Sequence, residues 1–324
     1  MDSRLKRRIA NDYPYPITVE FMRLNTMDYK NHGIERLRKI VDVTETLLQF
    51  MTLISISDLV ENVINGKIKV SEDFKKAFKN NFTHISMGKW MSLLRESIKL
   101  FKSQGVEMFI EELPDYIIKS TSSESKVQVA FNRLITIRNS INHKTTQLSK
   151  TEVNKLSEEA DSKLEFILKE LDFIIDYQFL YINQVTVNYH RWSEPTYNID
   201  MSYIVGSNPE LFDSTDHDSS HRNIMHTPAI VITKENTKQY LNLEPLVIYS
   251  DEGEMEITDI FMYTDWDKSR NRIIYKPIWK GGNFNLLNTS IAKHIAPEML
   301  KIMELLGVQS DFIGFKDQLD KRLN

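Results

Sequence analysis

Near residue 182 the period of the hydrophobic pattern changes, and that change narrows the folds open to this chain. Before it, apolar residues recur at helical spacing. Ile34, Leu37, Val41, Leu48, Met51 and Ile54 mark one helix between His32 and Asn65, and Trp90, Leu93, Leu94, Ile98 and Phe101 mark another from Ser86 to Ser103. A third runs from Ser149 to about Tyr181 on Val153, Leu156, Ala160, Leu164, Ile167, Leu171 and Ile174. After residue 182, β-branched and aromatic residues alternate or run together in Gln184 to Trp192, Ile199 to Val205, Ala229 to Thr233, Leu246 to Tyr249, Ile257 to Tyr263 and Arg272 to Ile278. Asp265 to Arg270 reads as a hairpin connection. Gly281-Gly282 ends the strand region, and Ser290 to Leu306 and Phe312 to Leu323 return to helix.

The expected class is therefore α+β, in three parts. Residues 1–31 form an extended lead-in, because Pro14 and Pro16 push their predecessors out of helical geometry. Residues 32–181 form a helical domain, and residues 182–324 a smaller mixed domain with antiparallel strands and C-terminal helices. Punctuation supports the helices: Gly66 stops the first, Ser71 with Glu72 and Asp73 starts a short one, and Ser120 to Ser125 offer caps. Ser149 and Glu152 have the spacing of a capping box.

Composition excludes several classes. With 41% hydrophobic and 27% charged residues the chain is an ordinary globular one, not a disordered or fibrous one. It has no cysteine, so disulfides, thiolate nucleophiles and Cys-type zinc sites are out, which suits a cytoplasmic setting. The basic N-terminus lacks the apolar run of a secretory signal, and the run Leu47 to Val60 is polar-interrupted and short for a membrane span, so no membrane association is expected. Residues 1–181 carry 27 Lys/Arg against 25 Asp/Glu, and residues 182–324 carry 14 against 20. Any nucleic-acid contact must come from a local patch.

One segment asks for a chemical explanation. Turning about 100° per residue from Val127, Ala130, Phe131, Leu134, Ile137 and Ile141 fall within about 80° of it, and Arg138 falls at about 20°, in the middle of that apolar face. An arginine there needs a counter-charge, a polar network or a ligand anion. His143 stands where the helix should end. The spacing of Arg and His alone has little specificity; the apolar setting and the helix-end placement give it weight.

In that form Arg138-Asn139-Ser140-Ile141-Asn142-His143 resembles the HEPN superfamily, whose mark is an arginine, a polar residue and then a histidine at the end of a main helix of a helical bundle. The resemblance covers roughly residues 30 to 181. It implies a metal-independent endoribonuclease that needs no cofactor, with Arg138 and His143 catalytic and Asn139 supporting, acting as a homodimer through the helical domain. It also implies a role as a toxin or anti-phage effector, with a regulatory protein partner as a possibility. Arg133 and Lys144, basic residues flanking the motif, are the candidate RNA contacts. Some such toxins carry a modifiable tyrosine two places after the histidine; here that position is Thr145, so that form of control is not implied.

The chemistry stands on its own terms. RNA carries its nucleophile, the 2′-hydroxyl, so a neutral imidazole can take its proton while a guanidinium stabilises the phosphorane, leaving a 2′,3′-cyclic phosphate and a 5′-hydroxyl. Five helical residues turn about 500°, placing Arg138 and His143 roughly 140° apart, so they converge only if the helix unwinds near Asn142 or a second chain contributes. The rival reading is a non-catalytic interaction or ligand-binding module in which Arg138 holds an anion or a partner carboxylate. A weaker one is a metal site on His217, His221 and His226, in a stretch rich in aspartate. Phosphate-loop, dinucleotide, nucleophile-elbow and H-E-x-x-H motifs do not occur.

Overall fold

The computed structural model describes residues 1–120, 123–144, 148–192, 195–206, 214–219, 229–234, 237, 239–250, 259–267, 269–270, 272–279, 282, 284–285 and 292–308. The class is α+β, with helices first, antiparallel sheets after them and a final described helix. The expected helix at Phe312 to Leu323 lies outside the described residues.

The N-terminal segment is helical, against the expectation of an extended lead-in. α1 (Ser3–Asp12) and α2 (Tyr15–Leu24) are joined at Tyr13-Pro14. Pro14 occupies the N-cap position of α2 in extended geometry and Pro16 sits in its first turn, where a missing N–H costs no intrahelical bond, so the two prolines start a helix here. Asp2 caps α1 by accepting from the Arg4 N–H. Tyr13 and Tyr15 are buried, and the Tyr13 hydroxyl donates to the Leu168 carbonyl at 2.5 Å.

α3 (Ile34–Ile64) is the axis of the fold. By length and composition it could cross a membrane, but 83% of its apolar window is buried inside the protein, as in a core helix. Around it pack α2, α5 (Met87–Gln104), α7 (Lys126–Lys144) and α8 (Lys150–Glu170). The expected starts are observed. Ser71 caps α4 (Glu72–Asn81), Ser125 Oγ accepts from the Gln128 N–H at 2.9 Å, and Ser149 and Glu152 form the reciprocal capping box of α8. α6 (Leu113–Ile117) leads into a small antiparallel pair, β1 (Ile118–Ser120) and β2 (Ser123–Glu124).

α8 ends at Glu170, well before Tyr181. A short 3-10 turn, Asp172–Asp176, comes next, and strand begins at Tyr177. The run Phe173-Ile174-Ile175 fits either period and lies in that turn, and pairing with the segment Ala229–Lys234 makes the chain a strand from Tyr177 onward. β3 (Tyr177–Asn188) lies between β4 (Thr196–Tyr203) and β6 (Ala229–Lys234) in a five-stranded antiparallel sheet, with β5 (Ser214–Ser219) and β7 (Tyr240–Asn242) at its edges. The second sheet has four strands: β8 (Val247–Ser250), β9 (Asp259–Asp267), β10 (Arg272–Pro277) and β11 (Phe284–Asn285). α9 (Ala292–Leu305) comes after it.

The change of secondary structure near residue 182 does not interrupt the packing. One hydrophobic cluster joins Leu48, Phe50 and Ile54 of α3 to Met262, Tyr263 and Trp266 of β9 and Met299 of α9. Gln49, buried in α3, donates to the Tyr263 carbonyl at 2.7 Å. Phe74, Phe78 and Phe82 repeat every four residues along and just beyond α4, and the row of stacked rings continues onto Tyr263, with the last two centroid separations both 4.6 Å.

Candidate functional site

α7 is built as the sequence implies along most of its length. Val127, Ala130, Phe131, Leu134, Ile137 and Ile141 are all buried against the bundle. Arg138 departs from the expectation that it sits within that apolar face: it is only partly buried and borders a cleft of about 380 Å³ between α7 and the first half of α3. The reason lies on the opposing helix. There α3 presents Arg38, Lys39, Asp42 and Glu45, so the last turns of α7 meet polar groups. Arg38, Asp42 and Glu45, at helical spacing in a segment otherwise read as core, are the signal by which the sequence could have revealed the opposite wall.

Most of the charge in this cleft is already paired. Lys39 donates to Glu20 at 2.9 Å and to Asp42 at 3.2 Å, and Arg38 reaches Glu35 at 3.1 Å. Glu20, 2% exposed, also pairs with Arg23 at 2.7 Å and lies 3.8 Å from Lys276. Burial acts to raise its carboxyl pKa, but Lys276, Lys39 and Arg23 together hold it below the ordinary carboxylate range. Arg138 is different. Among the described residues it has no carboxylate within ion-pairing distance, and its polar contact there is a long 3.4 Å approach to the side-chain oxygen of its neighbour Asn139. Glu45 is the acid that feels it. Burial pushes the Glu45 carboxyl above its usual range, and the Arg138 guanidinium and Lys276 ammonium pull it back.

His143 is exposed in the last turn of α7, which stays α-helical through Lys144. The helix does not unwind at Asn142, so within one chain the two side chains keep their separation of about 140° around the axis and about 7.5 Å along it. The structure places Asn139 on the exposed surface. Arg133 is committed elsewhere: its guanidinium forks onto Glu159 of α8 with two contacts of 2.6 Å. Lys144 is the last residue of α7.

Of the three histidines of the weaker metal reading, one falls on the described residues. His217 lies in edge strand β5, opposite Ile199, and His221 and His226 fall outside the described residues. Among the described residues no group of three His, Asp or Glu side chains could hold a metal ion.

No family model, curated protein or solved structure matches this chain. Its function is therefore read from the side chains themselves.

Proposed function

We propose that the chain is a HEPN-type endoribonuclease that works as a homodimer, in which Arg138 of one protomer and His143 of the other share a cleft. The observation that carries this reading is the state of Arg138: a partly buried residue whose guanidinium, unpaired among the described residues, opens onto a cleft in which the other bases are neutralised. Such a group is open to one anion, and a phosphodiester is the anion that a helix-end histidine from the other protomer can act on. His143 would take the 2′-hydroxyl proton, Arg138 would stabilise the charge on the phosphorane, and Asn139 would orient either. No metal or cofactor enters this scheme. An RNA substrate and a cysteine-free chain suit the cytoplasm. A role in toxin or anti-phage systems, and a regulatory partner, belong to the same proposal.

Incubation with RNA in EDTA tests it, using wild type, Arg138→Ala and His143→Ala. The expected outcome is cleavage by wild type to 2′,3′-cyclic phosphate ends and loss of at least about a hundredfold in each variant. Undiminished cleavage in both variants would refute the site.

A second reading is favoured by the acids of the same cleft. Glu35, Asp42 and Glu45 line it beside Arg138 and would repel a polyphosphate strand. In that case the protein is a binding module, and Arg138 holds a single anionic group or a partner carboxylate.

A further inference from the structure

A second groove, of about 320 Å³, lies at the other end of α3, where that helix meets the connection between β7 and β8 and one side of α9. Its charge is one-sided. Glu61 comes from α3, Glu244 from the connection and Glu298 from α9, against the single lining cation Lys301. Among the described residues none of these four makes an ion pair, unlike Glu35 and Asp42 beside Arg138. Burial and the nearby Glu298 carboxylate push Glu244 up to about 8, and burial raises Glu61 even with the Lys67 ammonium drawing it down. Glu244 therefore keeps its proton at neutral pH while the groove is empty, and a cation beside it would draw its pKa down and release that proton.

The groove holds a second, independent sign of a missing ligand. The Ser57 hydroxyl belongs to a residue only 6% exposed, lines the groove and has no hydrogen-bond partner among the described residues. A buried hydroxyl without a partner costs free energy that a polar ligand atom would recover. The remaining wall is apolar, from Val60 and Pro245 to Ile64, which is 55% exposed at the rim.

We infer that this groove binds a small organic cation of the diamine or polyamine class, with its ammonium groups on Glu244, Glu298 and Glu61 and its methylene chain along Val60, Pro245 and Ile64. Two features select this class. Among the described residues no three acids converge closely enough to hold a metal ion, so the negative charge is spread along the groove, as an extended cation requires. The apolar wall between the carboxylates matches an alkyl chain and gives nothing to a hydrated inorganic ion. The site is separate from the Arg138 cleft and does not depend on the nuclease reading.

Calorimetric titration of the full chain with putrescine and spermidine tests the inference, with butylamine and 1,4-butanediol as controls. Saturable binding is expected for the two polyamines, weaker binding for butylamine and none for the diol. Glu298 and Lys301 are exposed, so changing them leaves the core intact. Glu298→Gln should weaken spermidine about tenfold and Lys301→Gln should tighten it, since Lys301 competes for the same carboxylates. Ser57→Ala should weaken it by a smaller factor. Absence of saturable binding would overturn the proposal. So would equal affinities in wild type, Glu298→Gln and Lys301→Gln, which would reduce the effect to the chain's overall negative charge. Equal binding of the diol would make the groove merely apolar, with the same consequence.

Discussion

Arg138 and His143 stand on one unbroken helix, five residues apart, and the helix continues through the histidine to Lys144. That rigidity fixes their side chains about 140° apart around α7, too far round for one phosphate to meet both in a single chain. If the site is catalytic, it is composite. A mixture of Arg138→Ala and His143→Ala proteins, each inactive alone, should then regain activity. In a twofold dimer the mixed species keeps one site with both wild-type residues, so an equimolar mixture should recover about a quarter of wild-type cleavage. A site made within one protomer recovers none, and cleavage assays on the mixture after subunit exchange separate the two.

Arg133 flanks the motif, where an RNA contact is expected, yet its planar fork is filled by Glu159. The side chains are 40% and 36% exposed, so the pair contributes little to stability, on the order of 0.5 kcal/mol after screening. Arg133→Ala should lower the melting temperature slightly and leave the salt dependence of RNA binding unchanged. A phosphate-contacting arginine would reduce the slope of log K against log salt by about one. Filter binding over a salt series reads this directly.

The helices and most strands are legible in the sequence because each has a clear period and clear punctuation, as Ser71, Gly66 and the Ser149–Glu152 box illustrate. Two readings fail for local reasons. Pro14 and Pro16 read as breakers, but they stand at the cap and in the first turn of α2, where proline is an initiator. Periodicity carries α8 too far because Phe173 to Ile175 is apolar throughout, and only the pairing of Tyr177 to Ile182 with β6 assigns the next segment to strand. The candidate site is half legible. Arg138 stands out against its apolar neighbours, but its surroundings depend on Asp42 and Glu45, about 95 residues earlier, which become its neighbours only through the crossing of α3 and α7.

The shared core makes a prediction about cooperativity. Trp90 lies in α5 and Trp266 in β9, both buried, and residues of both regions belong to one hydrophobic cluster. Urea unfolding followed by tryptophan fluorescence and by far-ultraviolet circular dichroism should give coincident transitions. Removing a tie across the core, as in Gln49→Ala, should lower the stability by about 1 kcal/mol without splitting the transition. Two separated transitions would mean that the helical and β-rich parts unfold independently.

Asp58 links stability to pH. It is buried in α3, accepts the Phe109 N–H at 2.7 Å and the Asn62 side-chain amide at 2.8 Å, and burial pushes its pKa up to about 7 from an ordinary 3.8. Between those values the folded chain holds a proton that the unfolded chain has lost, so the proton favours folding. This contribution is present below about 4 and is lost as pH rises through 7. Glu244, pushed up to about 8, acts in the same direction over a window shifted upward. Stability measured by urea denaturation should therefore fall as pH rises from about 5 to about 8. Asp58→Asn, which carries no ionisable group at that position, should flatten the lower part of the slope and leave the part set by Glu244. A slope unchanged in Asp58→Asn would assign the pH dependence to other groups.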